Sequence, residues 1–181
     1  HSLCDMIIGV SNKPKDTQGL LKKLKDNAQK SIDIVKNKVP SFNLYDKENI
    51  HKSSYLDILD DDLKPYFKAA VGNYRVTEDA KKEFSKLKLD INKISNLMNT
   101  HHNYLKNELK ITTPEIDKMI DVTKKNGAIG SKIVGSGGGG SIVSLSTNSN
   151  TSNKIVSELK RIGVKDVFIA KKGKGPTINY E

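Results

Sequence analysis

Apolar positions along the chain recur at two periods, and these divide it into strands near its ends and amphipathic helices between them. Residues 4–10 form a compact apolar run that predicts a buried strand. Asp16 or Thr17 then stands where a helix cap belongs, and Leu20, Leu21, Leu24, Ala28, Ile32 and Val35 recur at three- and four-residue steps until Pro40. Residues 41–62 are polar and weakly periodic, which predicts a loop with one short helical turn near Tyr55–Leu59. A second helix is expected from about Leu63 to Leu87, burying Tyr66, Phe67, Ala70, Val71, Tyr74, Ala80 and Phe84, with Gly72 as a point of bending. A third runs from about Asp90 to Glu108 on Ile91, Ile94, Leu97, Met98 and Leu105.

Thr112-Thr113-Pro114-Glu115 is a strong helix start: a hydroxyl cap, proline in the first turn, then an acid that suits the helix dipole. That helix carries Ile116, Met119 and Ile120, and Gly127 sits where a C-terminal glycine belongs. Two β-branched runs follow around a glycine cluster. Asn148–Asn153 reads as a turn, Lys154–Ile162 as a short helix closed by Gly163, Asp166–Ala170 as a strand and Thr177–Tyr180 as a possible last one. Strand, helices, strand, strand, helix, strand is the split βαβ plan of ferredoxin-like folds, with extra helices in the first crossover. The expected class is α+β with a largely antiparallel sheet.

The glycine cluster is the candidate chemistry. Gly135-Ser136-Gly137-Gly138-Gly139-Gly140 places five glycines in six loop residues, followed by Ser141. So much glycine costs backbone entropy, which suggests positive φ or close backbone approach, and the usual beneficiary is an anion held by backbone N–H groups. Gly135, Gly137 and Gly140 satisfy G-x-G-x-x-G, but a dinucleotide fingerprint needs a helix next, and Ser141–Ser146 alternates as a strand does. A P-loop needs Lys and then Ser or Thr after the last glycine, and Ser141-Ile142 does not supply them. A plain hairpin with surplus glycine, or a linker, is the bland alternative. Strand, glycine loop, strand fits the flanks best.

Bulk properties narrow the field. A chain of 181 residues suits one domain, and 35% hydrophobic content with a mean hydropathy of −0.54 implies a modest core. No apolar run approaches a membrane span, and the apolar start lacks a basic leader. Lone Cys4 fits a reducing, cytoplasmic setting. The net charge of +10 raises nucleic acid as a partner, but Arg75 and Arg161 are the only arginines and the lysines are spread throughout, so a solvated lysine-rich surface is expected instead. His101 and His102 are adjacent and point apart on a helix, which argues for packing over metal ligation; Asp60-Asp61-Asp62 reads as acids ahead of a helix. The start at His1-Ser2, opening directly on a strand, suggests a piece of a longer chain.

Gly127-Ala128-Ile129-Gly130-Ser131-Lys132-Ile133-Val134-Gly135 through Ser141 resembles the third motif of the GHMP kinases, roughly G-A-x-G-A-K-L-T/S-G-A-G-G-G-G-C before an apolar strand. Ser131, Ser136 and Ser141 replace other small residues, which leaves the loop geometry intact. Leu97-Met98-Asn99 through Leu105, with Thr112–Asp117, resembles the helix pair before that motif in galactokinases and mevalonate kinases, and His102 coincides with a histidine common there. The opening Met6–Val10 with Asp16-Thr17 is similar to mevalonate kinase. Tyr74–Glu78 is more similar to galactokinase, though the Tyr-Asn-Arg-Arg stretch and loop Phe usual in galactokinases are missing.

The resemblance covers the C-terminal half of that family. It implies transfer of the γ-phosphoryl of ATP, with Mg2+, to a small-molecule alcohol, nearest to mevalonate kinase with a galactokinase-like sugar kinase as the alternative. It also implies an N-terminal half as partner, holding the P-x-x-x-G-L-G-S-S-A loop and the catalytic Asp, so that residues 1–181 carry no catalytic residue and do not catalyse alone. Gly135–Gly140 with Ser136 and Ser141 would face phosphate or acceptor, and Thr17 and Lys132 are substrate-side candidates. A stand-alone ferredoxin-like module for an anionic metabolite or nucleic acid is the alternative of another class.

Overall fold

The computed structural model describes residues 4–13, 18–46, 54–171 and 173. Its elements in order are β1 (Asp5–Val10), α1 (Gln18–Lys38), α2 (Ser54–Asp57), α3 (Lys64–Phe84) and α4 (Ile91–Asn103). A π-helical turn over Tyr104–Glu108 follows, then α5 (Pro114–Lys125), β2 (Gly130–Val134), β3 (Ser141–Ser146), α6 (Ser149–Arg161) and β4 (Asp166–Ala170). Four strands form one sheet in the order β2-β3-β1-β4, with every pair antiparallel. This is the split βαβ plan read from the sequence, with α1 to α5 all in the first crossover. The expected strand over Thr177–Tyr180 lies outside the described residues.

Strand alternation aims Ile7, Ile133, Ile142 and Val167 at one face of the sheet, where they pack with Ile116, Met119 and Ile120 of α5 and Ile155 and Leu159 of α6. Gly9 lies under this layer because a Cβ there would stand 3.0 Å from the Met119 methyl. A second cluster lies among the inserted helices. Phe42 stacks edge-on to Tyr55 at 5.1 Å and tilted against Phe67 at 5.7 Å, beside Val35, Leu59 and Val71. Residues 41–62 therefore hold core side chains, although their polar spacing reads as loop.

Helix starts follow local chemistry. Thr113 Oγ1 accepts from Ile116 N–H at 3.3 Å with Pro114 behind it, and Asp90 accepts from the N–H groups of Asn92 and Lys93. Two expectations need correction. Asn148 caps α6 by accepting from Thr151 N–H at 2.8 Å, so the Ser/Asn/Thr cluster is the helix's first turn, and Ser152 Oγ ties it to Asp5 at 2.7 Å. Phe84 is 65% exposed, whereas its neighbour Glu83 is fully buried. Glu83 accepts from Asp90 N–H at 3.0 Å and pairs with Lys86 at 2.7 Å and Lys93 at 3.2 Å, closing the turn between α3 and α4. These donors hold its carboxyl at about 2, well below the usual 4.5.

Gly72 interrupts nothing, since α3 runs through it. Its bare face lies against the ring of Tyr104, where a Cβ would overlap the ring atoms. Tyr104 opens the π-turn, in which Leu109 N–H reaches back five residues to its carbonyl at 3.1 Å.

Candidate functional site at the glycine hairpin

The glycine loop joins β2 to β3 at one end of the sheet. Gly135, Gly137, Gly138, Gly139 and Gly140 have φ of 84°, 84°, 70°, 128° and 89°, a conformation that side chains resist. Space imposes the same choice at Gly137, where a Cβ would stand 2.7 Å from both the Cβ and the carbonyl oxygen of Ile111.

The loop is fastened from two distant parts of the chain. Gly138 N–H donates to Ile111 O at 2.8 Å, Gly140 N–H donates to Ser11 Oγ at 3.0 Å, and Ser11 N–H returns a bond to Gly140 O at 2.7 Å. Ile111 is itself held by its N–H on Leu105 O at 3.1 Å, and it follows Lys110, the sole non-glycine with positive φ among the described residues, at 52°. The N–H groups of Ser136, Gly137 and Gly139 have no protein partner among the described residues, and neither do the hydroxyls of Ser136 and Ser141. Unpaired backbone donors on a loop whose shape is already fixed are the kind of group that holds an anion in other proteins.

The strand leading into the loop is pinned as firmly. Among the described residues β2 is the outer strand of the sheet, and side chains of α4 bond to its far edge. Asn99 donates to Ile129 O at 3.1 Å and accepts from Ser131 N–H at 3.1 Å, while His102 Nδ1 accepts from Ile133 N–H at 3.4 Å. The inner face adds hydroxyl contacts, Thr123 to Ser131 at 2.8 Å and Ser131 to Ser144 at 2.9 Å. Burial and the nearby cations Lys124, Lys106 and Lys132, against Asp117, hold His102 at about 4, below its ordinary 6.5. A neutral imidazole accepting through Nδ1 carries its proton on Nε2, and His102 is a packed residue, not a surface ligand.

Ser136, Gly137, Gly138, Gly139, Gly140 and Ser141 thus share the loop with Gly135. Lys132 lies apart from it: its Nζ donates to Ile133 O at 2.9 Å and lines an apolar cleft with Met6, Phe84 and Ile94, where burial lowers its pKa. Thr17 lies outside the described residues. Ser11, Ile111 and Asn99 were not singled out by the sequence, although Asn99 and His102 stand three apart on one helix, the spacing that puts two side chains on one face. Asp61 is 93% exposed and pairs with Lys64, and among the described residues no three His, Cys, Asp or Glu gather as a metal site.

Residues 80–165 match the family model described as GHMP kinases C terminal. The chain carries a GHMP kinase C-terminal domain. Over 87 residues it is 34% identical to a galactokinase of Actinobacillus succinogenes, a stretch covering 44% of this chain and 22% of that protein. In fold it is similar to Lactococcus lactis galactokinase complexed with galactose, with a TM-score of 0.79 and 22% identity over 97% of this chain and 47% of that one. L. major mevalonate kinase in complex with R-mevalonate superposes with a TM-score of 0.56 and 18% identity, over 92% of this chain and 41% of that one. The chain thus spans less than half the length of these relatives. Among the described residues no helix is long and apolar enough to cross a membrane.

Proposed function

We propose that the chain is the phosphate- and acceptor-side half of an ATP-dependent kinase for a small-molecule alcohol. The observation that carries this reading is the glycine loop, fixed by Ser11 and Ile111 yet presenting the unpaired N–H groups of Ser136, Gly137 and Gly139. Phosphoryl transfer asks a protein chiefly for positioning and charge stabilisation, and donors that need no rearrangement supply both. The loop fits the terminal phosphates of ATP, which would meet its free N–H groups. Mg2+ would come with the nucleotide, and the resemblance implies that its protein ligands lie mainly in the N-terminal half.

Sequence identity to a galactokinase favours a sugar as acceptor. Mevalonate is the second reading, supported by the likeness of Met6–Val10 to that branch and by the missing Tyr-Asn-Arg-Arg stretch. The test is ATP-dependent phosphorylation by the full-length enzyme of a hexose panel and of mevalonate. Turnover of one class assigns the branch; turnover of neither removes both. Residues 1–181 alone are expected to bind ATP weakly and to turn none over, because half of a two-sided site lacks the acid and the preorganisation.

A further inference from the structure

The helical stretch that begins with α4 ends in an unusual way. A residue in left-handed conformation commonly closes a helix, and it is usually glycine. Here that place falls to Lys110, at φ 52° and with an exposed side chain. Ile111 N–H then bonds back to Leu105 O at 3.1 Å. That is one residue farther back than the same closure reaches on an α-helix, because Tyr104–Glu108 has widened into a π-turn. Ile111 and Leu105 are both buried in the core under the sheet, so the closure is held from inside.

The left-handed turn gives Ile111 two partners on opposite sides. Its N–H faces the helix it has just left, and its carbonyl faces the glycine hairpin, where it accepts from Gly138 N–H at 2.8 Å. Its Cβ and carbonyl oxygen also fill the space beside Gly137, each 2.7 Å from where a side chain would begin. A right-handed φ at Lys110 would send the chain off in another direction and carry that carbonyl away from Gly138. Side chains resist the left-handed region, and residues held there against their preference cluster at functional sites. We infer that Lys110 is a positioning residue for phosphoryl transfer: through its backbone conformation, not its charge, it sets the Ile111 carbonyl that holds the glycine loop against the terminal phosphate. The link to phosphate rests on the kinase reading above, whereas the link from Lys110 to the loop does not.

The experiment compares Lys110→Gly, Lys110→Ala and Lys110→Val in the full-length enzyme. All three remove the same ammonium, so charge is constant among them. They differ in how they accept a left-handed backbone: glycine freely, alanine about as lysine does, and β-branched valine least. Hydrogen exchange is followed in the peptide spanning 135–141, and ATP and ADP are titrated without acceptor. K110G and K110A should keep the exchange and the ATP affinity of the unaltered enzyme. K110V should quicken exchange and weaken ATP by about tenfold, with ADP, which lacks the terminal phosphate, weakened less. The urea midpoint of K110G should lie above that of K110A, an arm that does not require the valine variant to fold. K110A as damaging as K110V would overturn the inference, since the ammonium would then be the active group. Exchange indifferent to K110V, equal loss of ATP and ADP, or equal midpoints for K110G and K110A would overturn it as well. An unaltered enzyme that binds no ATP, with loop exchange still following the side chain at 110, refutes the kinase reading alone.

Discussion

Two turns in this fold are both held rigidly, by opposite chemistry. The glycine hairpin is fastened by neutral groups: backbone amides, the Ile111 carbonyl and the Ser11 hydroxyl. The turn between α3 and α4 is fastened by charge, with a buried Glu83 carboxylate gathering Asp90 N–H and two lysines. A loop that receives an anion, the role proposed for this hairpin, cannot be tied down by carboxylates without repelling its guest. The α3–α4 turn is tied down in that way. Neutral fastening keeps its donors available and includes no titratable group in the loop itself, whereas charged fastening rests on one.

The largest effect is expected from Gly137→Ala, which puts a side chain at positive φ and against Ile111. Left-handed strain and overpacking together should cost about 3 kcal/mol, read as a lower urea midpoint, with loop-dependent ATP binding lost in the full-length enzyme. Next is Asn99→Ala, which strips the Ile129 carbonyl and Ser131 amide of their partner. Unpaired buried groups make this roughly 1–3 kcal/mol, and hydrogen exchange should quicken at Ser131 and Ile133 while the α3–α4 turn is unaffected. Loss confined to the α3–α4 turn would contradict the division drawn above.

Acid should separate the two turns further. Glu83 is held at about 2 against 4.5 unfolded, so its stabilisation is complete above about 4.5 and is lost as pH falls from there toward 2. His102 is held at about 4 against 6.5, so the unfolded chain takes up its proton first and stability declines between 6.5 and 4. Stability measured against pH should therefore fall in two stages. Glu83→Gln should flatten the lower stage and His102→Gln the upper. A single stage untouched by H102Q would show that the β2 edge does not depend on neutral imidazole. The smallest effect belongs to Ser136→Ala, a half-buried hydroxyl with no protein partner, expected to change stability by less than about 0.5 kcal/mol.

What the sequence makes legible follows the range of the interactions. Thr113-Pro114 and Gly127 announce α5 because a cap is written within four residues, and the glycine loop announces its own φ values. Asn148 was hidden because its cap is spelled in residues that also spell a turn, and only the packing of α6 on β1 through Ser152 and Asp5 decides between them. Phe84 and Glu83 exchanged roles because the helical stripe carries no notice of Asp90 and Lys93 beyond the turn. The fasteners of the loop were the least visible. Ser11 lies 129 residues from Gly140, and nothing local marks it as a partner.

That separation has a consequence for how the chain is made. Among the described residues β1 pairs with β3 and β4, so it meets residues 141–146 and 166–170 only after all the inserted helices have been synthesised. At ribosomal speeds of about 5–20 residues per second, Met6–Val10 waits on the order of ten seconds with an apolar strand exposed. The aromatic cluster of Phe42, Tyr55 and Phe67 has no such delay and can assemble from α1 to α3 while the sheet is still incomplete. Vectorial synthesis thus gives the inserted helices a head start, and β1 stays open to wrong pairing until β3 and β4 emerge.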